Sequence, residues 1–285
     1  MKKFSLAILL LVCCSVALTA CDSDEPSRSL HKAMATYTYH TVTAPVTDAD
    51  GEESEYTLEY RLLEPVADWE PYAMPEGGYP LVIFLAGNNE AYTIDRLLIH
   101  GADYFIKWQA EYPCYVAFPR CAEGCYWTYP LRPTPFTPDQ IQWPERPSIM
   151  YDALKALVEK LRATYPVNPD RVVVAGFSMG AFGALDMAAR APLMFAAVQA
   201  NAGGLNIRRA EALKDMDVWL EHCEEDNTLP CEMTRALADE LARIKGDEAA
   251  STLSVHIYPG GSHISFHCFD SPELMEWIYS VRRHK

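Results

Sequence analysis

Basic residues are scarce in this 285-residue chain: 24 Lys and Arg stand against 39 Asp and Glu, a net charge of −15. A surface that acidic repels phosphate backbones and anionic membrane surfaces, so no nucleic-acid partner is expected. Metal-ligand spacing is missing as well. No C-x-x-C pair or matching histidine pair occurs, which argues against a zinc site. No internal repeat or second composition regime breaks the chain, so one domain is expected. What remains is 49% hydrophobic content, ample for a sizeable core.

The N-terminus follows a different logic from the rest. Lys2 and Lys3 make a basic start, Leu6 to Val12 an apolar run too short for comfortable spanning, and Leu18-Thr19-Ala20 lead into Cys21. This resembles a bacterial lipoprotein signal. The resemblance implies cleavage of residues 1–20, acylation of Cys21 and a lipid-anchored protein of the cell envelope, on its periplasmic or surface face. Asp22, Asp24 and Glu25 resemble a surface-export tag, with a solvated tether over residues 21–33 as the plainer alternative. Without the signal, 22 basic residues face 39 acidic ones, a net charge of −17. Six cysteines then remain: Cys114, Cys121, Cys125, Cys223, Cys231 and Cys268. Export permits disulfides, and Cys121 with Cys125 and Cys223 with Cys231 are the local candidates.

From residue 34 onward, apolar runs alternate with helical patterns. Thr36 to Thr43 and Glu55 to Leu63 alternate around the turn residues Asp48 to Gly51, which predicts an antiparallel hairpin. Short buried strands are expected at Leu81–Leu85, Tyr115–Phe118, Val172–Ala175, Phe195–Ala200, Val218–His222 and Leu253–Tyr258. Helices are expected at Ile94–Ala110, Ile149–Thr164, Ala181–Arg190, Glu232–Lys245 and Pro272–Arg283. The pattern predicts an α/β fold: a mostly parallel sheet with an N-terminal antiparallel hairpin and helices on both faces. Arg120 to Ser148 fits neither pattern. Rich in proline and holding Trp127, Tyr129 and Trp143, it is expected to face substrate, with packing over the sheet as the alternative.

The most informative stretch is Gly176-Phe177-Ser178-Met179-Gly180, a G-x-S-x-G set between a buried strand and a helix. Glycines fit a turn too tight for side chains, and Ser178 is left projecting at a helix N-terminus. A serine hydroxyl needs a base, and the base needs an orienting acid. Asp226 follows the strand Val218–His222, with Glu224 and Glu225 competing for the same role. His263 follows the last strand behind Gly260-Gly261-Ser262, with His267 as rival; His222 and His256 fall within strands and are poorer candidates. An oxyanion hole is expected from the amide of Met179 and one amide of the loop after Leu85, where Asn88 is chosen.

These residues resemble the α/β-hydrolase superfamily, and within it the secreted esterase and predicted-peptidase branch related to feruloyl esterases and polyhydroxybutyrate depolymerases. The likeness runs from about Tyr56 to Ile278 and covers Tyr79 to Leu85, the extended elbow, Phe195 to Gly204, and Gly260 to His263. It implies Ser178 as nucleophile, Asp226 as acid and His263 as base; no cofactor is implied, and neither metal nor nucleotide chemistry has a convincing motif. One departure stands out: the family's His-Gly, often followed by Ala-Gly-Glu, reads here Ala86-Gly87-Asn88-Asn89-Glu90. Glu90 and Trp127 are the candidates for touching substrate. The expected reaction is cleavage of carboxylic esters, feruloyl or acetyl groups on polysaccharide by analogy. A serine peptidase of the same fold and a non-catalytic surface binding lipoprotein are the alternatives.

Overall fold

Asp48 turns the first hairpin because its carboxylate accepts the amides of Asp50 and Glu52, each at 2.9 Å. That turn joins β1 (Thr38–Thr47) to β2 (Glu53–Leu63) in antiparallel register, Thr47 opposite Glu53. The computed structural model describes residues 28–66, 74–127, 137–138, 141, 143–264 and 271–284. Cys21, Tyr129, His267, Cys268 and most of the expected tether lie outside them.

The remaining strands are β3 (Tyr79–Leu85), β4 (Tyr115–Pro119), β5 (Val167–Phe177), β6 (Ala197–Asn201), β7 (Asp217–Cys223) and β8 (Leu253–Tyr258). Among the described residues they form one sheet in the order β1-β2-β4-β3-β5-β6-β7-β8. Strands β3 to β8 run parallel, and the hairpin joins them antiparallel through β2 and β4. The expected α/β architecture is the one the chain adopts.

The helices are α1 (Arg28–Thr36), α2 (Ala102–Trp108), α3 (Ile149–Thr164), α4 (Met179–Arg190), α5 (Glu232–Lys245), the short α6 (Ala249–Thr252) and α7 (Pro272–Ser280). Helix α3 starts where Ser148 Oγ accepts the amide of Met150, and it buries Met150, Ala153, Leu154, Leu157, Val158 and Leu161 on one face. Side chains alternate across β7, so its two faces meet different helices. Thr234 of α5 hydrogen-bonds His222 on one face, and Trp277 of α7 packs on Trp219 at 5.4 Å on the other. No helix of the described residues is long and apolar enough to cross a membrane.

Three expectations change. Residues 94–101 are turns rather than the first half of a helix, which begins only after Gly101. Helix α1 takes up residues 28–33, where a tether was expected, and buries Ala33. No disulfide joins the described cysteines; Cys121 Sγ instead faces the Cys125 carbonyl at 3.6 Å.

Candidate active site

Ser178 sits between β5 and α4 at φ 54° and ψ −120°, a backbone region that costs a side-chain-bearing residue about 1–3 kcal/mol. The strain persists because the surroundings dictate it. A Cβ at Gly176 would collide with the Gly180 carbonyl, and a Cβ at Gly180 would collide with Leu85 O at the end of β3. From the far side, the Ser178 amide donates to Asn201 O of β6 at 2.9 Å. The elbow is thus clamped between two neighbouring strands.

His263 arrives on the loop after β8, where Gly260 and Gly261 hold φ 72° and 75° and let the chain double back. Its Nε2 lies 2.9 Å from Ser178 Oγ, and its Nδ1 lies 2.6 Å from Asp226 Oδ2. The Phe177 ring packs 5.0 Å from the imidazole and fixes its plane. The chain Ser178–His263–Asp226 is therefore continuous. Glu224, a rival acid, instead pairs with Arg235.

The Asp226 side chain is shielded from solvent, which by itself would push its carboxyl upward. Hydrogen bonds from His222 and His263, and from the amides of Leu229 (2.9 Å) and Thr228 (2.8 Å), outweigh burial and hold it well below the usual carboxylate range. It is therefore an anion near neutral pH. His222 Nε2 stands 3.2 Å from the same Oδ2 that faces His263. Sequence reasoning set His222 aside because it falls in a strand; it is the last residue but one of β7, where a side chain reaches the following loop.

Met179 opens α4, and the first amides of a helix have no acceptor within it, so its N–H is available to an oxyanion. The turn after β3 carries exposed Asn88 beside it. Tyr92, which sequence reasoning missed, ties the two: its hydroxyl donates to Cys125 O at 2.8 Å and lies 3.4 Å from both Asn88 Oδ1 and Met179 Sδ. Trp127 departs from the expectation that it faces substrate. Only 1% exposed, it donates its indole N–H to Ala86 O at 3.0 Å and packs against Gly183 of α4. It braces the oxyanion turn from beneath. Glu90 also points inward, with His100 Nε2 at 3.6 Å; burial raises its carboxyl, and the His100 contact brings it below its ordinary value.

Parts of the 120–148 segment are packed. Ile141 is buried with Phe182, Leu229 and Met233, and Trp143 lies under the Arg190 guanidinium at 4.0 Å. Among the described residues no cluster of three or more His, Cys, Asp or Glu side chains is arranged to hold a metal.

Comparison with known proteins bears on the family and the fold. Residues 70–276 match the family described as "Putative esterase". Among solved structures, a thermostable esterase shares 24% identity at a TM-score of 0.69, over 88% of this chain and 64% of that one. An acylaminoacyl peptidase from Pyrococcus horikoshii shares 12% at 0.53, over 89% of this chain and 42% of that one. A protein described as FAE shares 13% at 0.52, over 84% of this chain and 86% of that one. The chain thus spans less than two thirds of the first two, and identities this low establish the common fold. No curated protein matches in sequence.

Proposed function

Because the chain belongs to this esterase family, we propose that it is a serine ester hydrolase with Ser178 as its nucleophile, His263 as its general base and Asp226 as the acid that orients His263. The observation that carries the reading is the unbroken hydrogen-bonded chain at 2.9 and 2.6 Å. His263 Nε2 takes the hydroxyl proton as Ser178 Oγ attacks the ester carbonyl carbon. The amides of Met179 and Asn88 meet the oxyanion, and His263 then returns the proton to the leaving alkoxide. Water, activated by the same imidazole, releases the acid from the acyl-enzyme. Asp226 stays ionised throughout and stabilises the imidazolium.

The acyl group we favour is feruloyl or acetyl on polysaccharide. Its support is the resemblance of residues 1–21 to a lipoprotein signal together with the sequence likeness to the secreted esterase branch, and exposed Ile264 beside His263 offers an apolar contact for an acyl or leaving group. We also read Cys21 as a lipid anchor, which makes Cys21→Ala shift the protein from membrane to soluble fractions. The test of the activity is a panel of p-nitrophenyl acetate, methyl ferulate, acetylated polysaccharide and a peptide amide. Hydrolysis of the esters and not the amide supports the proposal; cleavage of the amide alone replaces it with a peptidase.

A further inference from the structure

We propose that His222 is a positioning residue that holds the Asp226 carboxylate in register for His263. The inference rests on the reading of Ser178, His263 and Asp226 as the catalytic chain. The buried imidazole is held at both of its nitrogens. Its Nδ1 lies 2.7 Å from Thr234 Oγ1 of α5, and its Nε2 lies 3.1 Å from Leu229 O and 3.2 Å from Asp226 Oδ2. Thr234 Oγ1 in turn lies 2.9 Å from Gly203 O, in the loop after β6.

Proton bookkeeping fixes one nitrogen. Leu229 O and the Asp226 carboxylate are both acceptors, so Nε2 must carry a hydrogen to bond either. Nδ1 has freedom: it accepts from the Thr234 hydroxyl, or it is protonated and donates while that hydroxyl turns to Gly203 O. Both states leave the same Nε2–H shared between Leu229 O and Asp226 Oδ2. The carboxylate then receives four N–H groups, two on Oδ1 from Thr228 and Leu229 and two near Oδ2 from His263 and His222. With three unshared donors and the shared His222 N–H in place, rotating the carboxylate away from His263 loses at least one of these contacts. The titratable neighbours named by these contacts are Asp226 and His263; Thr234, Gly203 and Leu229 contribute neutral groups.

The route also runs back to the nucleophile. A Cβ at Gly203 would collide with Ala181 of α4, so the loop that anchors Thr234 also presses on the elbow helix. Acid and nucleophile are thereby referenced to the same piece of backbone.

The test compares His222→Leu, His222→Gln and Thr234→Val with the wild type on p-nitrophenyl acetate, with rates expressed per site titrated by a fluorophosphonate. Gln retains an N–H near the Nε2 position, and Leu does not. Losing the hold on Asp226 should lower kcat by on the order of ten- to a hundredfold in His222→Leu, as small misplacements in a catalytic site do. KM should stay within about twofold, because no substrate contact is removed. His222→Gln should recover most of the loss, and Thr234→Val should fall between. Wild-type turnover in His222→Leu, or an equal loss in His222→Gln, overturns the proposal; if His222→Leu does not fold, Thr234→Val with unchanged kcat does so. Nitrogen-15 histidine spectra give a readout independent of substrate: a proton on His222 Nε2, shifted in Asp226→Asn. An inactive wild type that shows this signal defeats the esterase reading and leaves the contact standing. An active wild type with Nε2 unprotonated defeats the inference alone.

Discussion

Two buried carboxylates five residues apart, Glu221 on β7 and Asp226 in the loop after it, are driven in opposite directions. Burial pushes Glu221 up to about 8, opposed only by the indole N–H of Trp219 at 2.6 Å and the phenol of Tyr258. The Asp226 side chain is also withdrawn from water, but N–H donors from His263, Thr228 and Leu229, with a further one shared by His222, hold it well below the ordinary range. Burial disfavours the anion in both places, and the supply of donors decides the outcome. Near neutral pH one acid is protonated and inert while the other is a fixed anion. Only a fixed anion can orient an imidazole and stabilise its cation.

Asp226→Asn breaks the contrast most severely. It keeps the shape, removes the charge and presents His263 with the wrong partner, and the loss in kcat should be on the order of ten-thousandfold. The same substitution tests the linkage. Asp226 is depressed in the fold, so its stabilisation is complete above the unfolded value of about 3.9 and is lost as pH falls toward the folded value. Thermal unfolding should therefore decline less steeply on acidification in the variant than in the wild type, which differential scanning fluorimetry between pH 5 and pH 2 reads directly.

Glu221→Gln probes the opposite member. Its raised value means that its contribution is present below the unfolded value of about 4.3 and is lost as pH rises through about 8. The variant should leave kcat within about twofold of wild type. Its stability relative to wild type should grow between pH 5 and pH 8, and a constant difference would refute the assignment. The smallest effect belongs to Trp219→Phe, which keeps a ring stacked on His256, now 4.3 Å away, and removes one donor. Glu221 should then titrate higher still, as carbon-13 carboxyl shifts would report.

Much of this was legible in the sequence because it is local. The elbow announces itself in five consecutive residues, and the bounds of α3 at Thr164 and α5 at Lys245 follow from Pro166 and Gly246. The order Ser178, Asp226, His263 is equally visible. What escaped depends on direction in space. Glu221 and His222 are adjacent in sequence yet point to opposite faces of β7, and nothing in the string says which one meets the acid. Trp127 belongs to an aromatic, proline-rich stretch that invites a substrate-facing assignment, but its indole N–H is needed by Ala86 O beneath the oxyanion turn. Residues 94–101 carry helical spacing, yet tertiary context folds them as turns.

The account stands most directly on Ser178, and mass spectrometric mapping of a fluorophosphonate adduct tests it. The wild type should carry the adduct on Ser178 and lose ester hydrolysis in step with labelling, while Ser178→Ala should take no label and lose rate on the order of a millionfold. Labelling at another residue, or ester hydrolysis that survives in Ser178→Ala, would contradict it.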